Sequence, residues 1–169
     1  MSDPASPSPP GRPPLGEDSD VIFPRLDEAQ IATMEAAGRR EQLSEGQVIF
    51  SPGDLDYEML VVVSGCVEIL DGGADEEIIV RYGARQFAGE LNLITLEPAL
   101  LTAVVAEAGE GIFVSREALR TVVSRDTRLG DLIMNALVGR RATIIENESG
   151  ARLIGYGTDP ATRQLREFL

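Results

Sequence analysis

From Arg39 to Ser115 the chain is punctuated every few residues by turn-forming side chains, and this constrains its fold more than any other feature. Short apolar runs cover Gln47 to Phe50, Tyr57 to Ser64, Val67 to Leu70, Glu77 to Tyr82, Thr102 to Glu107 and Gly111 to Val114. Between them lie Ser44-Glu45-Gly46, Ser51-Pro52-Gly53-Asp54, Ser64-Gly65, Asp71-Gly72-Gly73, Gly83 and Gly109-Glu110-Gly111. Each break offers the glycine or aspartate that turn dihedrals favour. None of these runs is long enough for a buried helix. The rhythm predicts an antiparallel β jelly roll or barrel of about eight strands, mainly β with flanking helices. Gly65 and Gly72-Gly73 suit tight hairpins, and Val61, Val63, Val67 and Ile69 alternate as inward-facing candidates.

Helical signals flank this block. On the N-terminal side, Asp27 can cap a helix with Gln30 at the capping-box partner position, Ile31 and Met34 share a face, and Gly38 ends it. On the C-terminal side the pattern predicts a helix pair. Ser115 can cap a short helix carrying Leu119, Val122 and Val123 on one stripe. Asp126 or Thr127 can cap a longer one in which Leu129, Leu132, Ile133, Ala136 and Leu137 keep helical spacing, continued loosely by Ile144 and Ile145. That stripe either docks on its own barrel or pairs with the same helix of a second copy, making a homodimer.

Before and after the folded block the texture changes. Residues 1–20 hold prolines at 4, 7, 9, 10, 13 and 14 among Ser, Gly and Asp, a composition that buries too little to offset ordering entropy and so predicts a disordered tail. Residues 21–148 form the domain. Residues 149–169 read as a linker and the start of a further domain, because the helix expected over Ala161 to Leu169 stops as Leu165, Phe168 and Leu169 begin to build an apolar face.

Composition excludes several functions. With 15 basic against 28 acidic residues and a net charge of −13, the surface repels nucleic acid, whose binding needs clustered cations. The absence of histidine removes imidazole catalysis and the usual His-containing metal sites. Cys66 is the single cysteine; it has no internal disulfide partner, suits a reducing compartment, and lacks a basic neighbour to activate it. No apolar run approaches the roughly 20 residues of a membrane span, and no signal-peptide layout opens the chain, so a cytoplasmic protein is expected. No catalytic constellation stands out; Glu90 with Glu97 is the one candidate carboxylate pair.

What remains is a stretch organised as an anion cradle. Ala88-Gly89 allows close backbone approach, and Glu90-Leu91-Asn92-Leu93-Ile94 can form a helical turn whose free N–H groups face a ligand. Leu100, Leu101 and Thr102 form its second half. No Arg or Lys occurs between Arg85 and Arg116, so that half carries no cation; Arg81 or Arg85 would have to reach in from outside.

In order, the capped helix, Val48-Ile49-Phe50-Ser51-Pro52-Gly53-Asp54, Val62-Val63-Ser64-Gly65-Cys66-Val67-Glu68, Gly89-Glu90-Leu91 and the helix pair resemble the cyclic nucleotide-binding domain of catabolite-activator-type regulators and cyclic-nucleotide-gated proteins, over about Val21 to Glu148. The resemblance implies that Glu90 accepts the ribose 2′-hydroxyl and that Gly89 and Leu91 donate backbone N–H groups to the cyclic phosphate. It also implies a phosphate-binding arginine, whose place falls on Leu100 or Leu101, with Thr102 as the following small polar position. Without that cation, Glu90 can instead cap its own turn or pair with a nearby arginine. Gly150 to Leu169 is too short and the chain too acidic for the basic helix-turn-helix that follows in catabolite-activator regulators, so that output is not expected. Gly150 to Leu169 instead resembles the linker to a thioredoxin-reductase-like flavin module, which implies FAD and NADPH beyond Leu169 and no cofactor within this chain. The expected function is a regulatory, non-enzymatic sensor of a small ligand that binds cAMP weakly or not at all and controls such an oxidoreductase; the alternative is a structural dimerisation domain with a vestigial pocket.

Overall fold

The computed structural model describes residues 19–71, 77–90 and 96–148. A short helix α1 (Ser19–Ile22) and helix α2 (Glu28–Ala37) lead into strands β1 (Arg39–Leu43), β2 (Val48–Phe50), β3 (Met59–Leu70), β4 (Ile78–Tyr82), β5 (Phe87–Ala88) and β6 (Thr102–Val114). Helices α3 (Arg116–Arg125) and α4 (Thr127–Glu148) follow. The sheet is antiparallel, ordered β1-β6-β3-β4, with β2 on β6 and β5 on β3.

Local chemistry accounts for the helix boundaries. Asp27 Oδ1 accepts from the Gln30 backbone N–H while Gln30 Oε1 accepts from that of Asp27, both at 2.8 Å, the reciprocal capping box that the spacing predicts. Ser115 accepts from the Ala118 N–H at 3.3 Å. Of the two residues able to cap α4, Asp126 takes the role, accepting from Leu129 at 3.0 Å. Gly38 ends α2 for a different reason from the usual left-handed glycine. Its φ is −122°, but a Cβ there would lie 2.4 Å from the Phe113 carbonyl oxygen, so only glycine lets the chain turn directly under β6.

Among the described residues six strands stand against the expected eight or so, and two of them are long. The runs on either side of Gly65 are one strand, β3, and those on either side of Gly109 are one strand, β6. Gly65 therefore makes no hairpin. It adopts φ +84° inside β3, where the register against β6 slips around Ser64 and Cys66, and the extra residue bends the strand as a bulge. The β3–β4 turn contains Gly72-Gly73, which lies outside the described residues. Strand β1 is the element with no apolar run behind it: of Arg39-Arg40-Glu41-Gln42-Leu43 only Leu43 is buried, and the strand is held by its ladder to Phe113 through Gly109.

The core is continuous from the barrel to the helices. Val61, Val67 and Ile69 are buried as their alternation predicts and Val63 half-buried, yet Leu60 and Val62 are also fully buried. The first half of β3 thus has apolar cover on both faces. Leu129, Ile133, Ala136 and Leu137 of α4 are buried and Leu132 is half-buried against the core. This part of the stripe is therefore occupied by the protein's own domain, while the side chains of Ile144 and Ile145 lie outside the described residues; among the described side chains of α4, the exposed large apolar ones are Met134 and Val138. Helix α1 reaches two residues into the segment expected to be tail, and Ile22 packs against Gly139 of α4, where a Cβ would approach Ile22 Cγ1 to 2.7 Å. No described helix is long and apolar enough to cross a membrane.

Candidate functional site

The cradle begins on β5, which pairs with the buried start of β3, Leu60 opposite Ala88 and Val61 opposite Phe87. Immediately after it Gly89 takes φ +92°, and a Cβ there would sit 3.0 Å from the Glu58 carbonyl oxygen and 3.3 Å from the Phe50 ring. Both the dihedral and the space demand glycine. The turn this permits delivers Glu90 into the interior, where it is fully buried. Leu91 lies outside the described residues, as does the rest of the helical turn expected through Ile94.

Burying a carboxylate demands a partner. Glu90 finds it on α4: Arg140 Nη1 donates to Glu90 Oε1 at 2.6 Å, with side-chain exposures of 4% for Arg140 and 1% for Glu90. The guanidinium is a junction. Its Nη1 also donates to the Phe87 carbonyl at 3.0 Å, and its Nε to the Ile22 carbonyl at 2.8 Å. Three rings surround it, Phe87, Tyr82 and Phe23, with centroids 4.7, 4.8 and 5.4 Å from Cζ. A delocalised, weakly hydrated cation suits such an aromatic enclosure better than an ammonium would. Burial raises the Tyr82 phenol well above its ordinary pKa, against the opposing pull of the Arg140 charge, so the ring stays neutral.

The N-terminal segment is stitched to the same turn. Leu26 N–H donates to the Arg85 carbonyl, Arg85 Nε donates back to the Leu26 carbonyl, Gln86 Nε2 donates to Phe23 and Arg25 Nη1 to Ala84. Of the two arginines outside the cradle, Arg85 donates through Nε to the Leu26 carbonyl and Arg81 is paired with Glu68.

The second half of the cradle is fixed by backbone. Gly53 N–H donates to the Ala99 carbonyl and Ala99 N–H to that of Asp54, each at 2.8 Å, which pins the loop ahead of β6 to the β2–β3 turn. Leu100 projects from it, 49% exposed, while Leu101 is half-buried against the core and Thr102, also half-buried, opens β6 opposite Leu70. Phe50 joins the two halves, pairing with Ala103 beside Thr102 and reaching Gly89 with its ring. Glu97 pairs with Arg141 at 2.9 Å. Glu90 and Glu97 are thus each neutralised by an arginine of α4, which is no arrangement for paired general acid–base work.

Arg140 is the residue that the motifs miss. Its signal lay in the helix itself: position 140 follows Ile133, Ala136 and Leu137 at helical spacing, so an arginine continues the buried stripe.

Comparison with known proteins follows the same outline. The model of the cyclic nucleotide-binding domain family matches residues 40–126, just over half of the chain. Among solved structures, the Thermus thermophilus catabolite activator protein aligns with 23% identity and a TM-score of 0.59 over 77% of this chain and 62% of that one. A protein from a study of a cyclic-GMP-dependent signalling pathway in bacterial phytopathogenesis aligns at 22% identity and TM-score 0.61, over 70% of this chain and 96% of the other. The sensor domain of the transcriptional regulator DNR from Pseudomonas aeruginosa aligns at 20% identity and TM-score 0.54, over 82% and 93% respectively. The chain spans under two thirds of the catabolite activator's length, and at these identities the likeness speaks for the fold alone. No curated protein sequence matches the chain.

Proposed function

Because the chain belongs to the cyclic nucleotide-binding domain family, we propose that it is a cytoplasmic regulatory sensor whose phosphate site is degraded, so that cAMP binds weakly or not at all. The observation that carries this reading is the Glu90–Arg140 contact. The carboxylate we assign to the ligand is held by the helix that would transmit its arrival, so a ligand competing for Glu90 changes the balance of contacts on α4. Only such differential affinity for two arrangements lets a ligand shift an equilibrium.

Degradation of the site rests on Leu100 and Leu101. A charge-assisted contact to phosphate contributes about 1.5–3 kcal/mol, and its loss weakens binding about tenfold to a hundredfold. The resemblance of Gly150 to Leu169 to a flavoprotein linker makes a thioredoxin-reductase-like oxidoreductase, with its FAD and NADPH, the effector we assign. The competing reading, a dimerisation domain with a vestigial pocket, is weakened by the burial of Leu129, Ile133, Ala136 and Leu137 in their own domain. Calorimetric titration with cAMP and cGMP to millimolar ligand tests the proposal: heats too weak to saturate are expected, and micromolar affinity for either overturns it.

A further inference from the structure

Strands β1 and β4 close the two ends of the sheet order, and among the described residues neither has a second strand beside it. Such an edge leaves alternate N–H and C=O groups unpaired, and charge is the usual guard against pairing with another chain. Strand β1 has that guard. Its Arg39, Arg40, Glu41 and Gln42 are exposed and bonded to one another or to Glu35, Glu58 and Glu110.

Strand β4 does not. Its middle is three β-branched apolar residues in succession, Ile78-Ile79-Val80. Ile78 is 45% and Ile79 39% exposed, and Val80 is half-buried. The register against β3 runs from Ile69 opposite Val80 to Leu70 opposite Ile78, so Ile79 is the extra residue of a bulge. The bulge twists the edge but leaves both isoleucine side chains uncovered. Charge stands only at the two ends of the run: Glu77, exposed, and Arg81, still 61% exposed beside Glu68.

Those ends are opposite in sign and equally far from Ile79. If two copies pair antiparallel about a twofold axis at Ile79, Glu77 of each falls opposite Arg81 of the other, Ile78 opposite Val80, and Ile79 opposite itself. A parallel pairing in register would set like charges together. The edge is therefore complementary to itself in charge and in apolar character, which an isologous contact uses twice. Arg81 can serve a second carboxylate, because a guanidinium carries five N–H donors.

We propose that β4 is a self-association edge, through which two copies of this chain join their sheets in a reversible dimer. The proposal does not depend on what the cradle binds. A strand this short makes a small interface, at the weak end of specific contacts, and because both copies use the same edge the association closes at two.

Sedimentation of the full chain over a concentration series tests this, together with three variants. The parent chain is expected to show a monomer–dimer equilibrium in the micromolar range. Glu77→Arg and Arg81→Glu each set like charges opposite one another at two places and should weaken the dimer about tenfold or more. An equimolar mixture of these two variants should regain it, since every reversed charge then meets its opposite on the other copy. Ile79→Lys places like charges face to face on the axis and should leave a monomer. Urea midpoints near that of the parent show that each variant is folded; should Arg81→Glu fail for want of its pair with Glu68, Glu77→Arg and Ile79→Lys decide. A parent chain that is monomeric throughout overturns the proposal. So does a dimer indifferent to these substitutions, which would place the contact elsewhere, or a mixture that associates no more tightly than its components.

Discussion

Two arginine–glutamate clusters in this protein use the same chemical parts and reach opposite results. On the outer face of β1 and β6, Arg40 donates to Glu110 through Nε and Nη2 and to Glu35 through Nη1, while Gln42 donates to the other Glu110 oxygen. Inside, Arg140 meets Glu90 through a single nitrogen and leaves Glu90 Oε2 and its own Nη2 without partners among the described residues. Solvent was available to the exposed carboxylate, yet both of its oxygens are bonded within the protein. The buried one, with no water to turn to, is half-satisfied. Folded proteins ordinarily satisfy buried polar atoms first, so the inversion marks the inner cluster as a place shaped for something other than stability.

That contrast can be broken at several points. Arg140→Ala strands a buried carboxylate and should cost about 3–5 kcal/mol of unfolding free energy, read by urea denaturation. Replacing both members with apolar residues, Glu90→Leu with Arg140→Met, should recover most of the loss; a double variant as unstable as the single one would show that the pair itself, not burial of an unpaired charge, stabilises the core. Leu100→Arg or Leu101→Arg returns a cation to the outer half of the cradle, and one of the two should raise cAMP affinity by about tenfold to a hundredfold in calorimetry. Asp126→Ala removes the cap of the helix that carries Arg140 and should cost about 1 kcal/mol, seen as a lower urea midpoint with the slope unchanged.

The outer cluster should respond least, and chiefly to pH and salt. Hydrogen bonds from Arg40 and Gln42 hold the Glu110 carboxyl below its ordinary range. A carboxylate depressed in the folded state contributes stability that is fully present above its unfolded pKa and disappears as pH falls through the folded value. The stability difference between the parent chain and Arg40→Ala should therefore be small at neutral pH, shrink further in high salt, and vanish under acid. A difference that persisted at pH 2 would mean that Arg40 acts through packing.

Elements whose chemistry is local were readable from residue order alone. Asp27 with Gln30, Ser115 and Asp126 sit where a side-chain oxygen can reach an N–H three residues on, and nothing distant can change that. Gly89 was legible as a point of close approach, although the atoms it approaches, the Glu58 carbonyl and the Phe50 ring, were not. Features set by distant partners stayed hidden. Strand β1 is polar along nearly its whole length and exists because β6 offers it a ladder. Gly65 has every local mark of a hairpin and is instead a bend, since the strand finds pairing on both sides of it. Glu90 stood out as a candidate acceptor, and pairing with an arginine was among its readings. The identity of that arginine, fifty residues further along, depended on how α4 lies across β5.

The meeting of Gly65 and Gly109 also bears on how sequences of this architecture can drift. A Cβ on Gly65 would come within 2.5 Å of the Glu107 carbonyl oxygen, and one on Gly109 within 2.2 Å of that of Ser64. Each obstacle is main chain on the opposite strand, so no compensating side-chain change nearby can relieve it. The two positions form a single unit: losing either glycine means rebuilding the crease where β3 and β6 bend together.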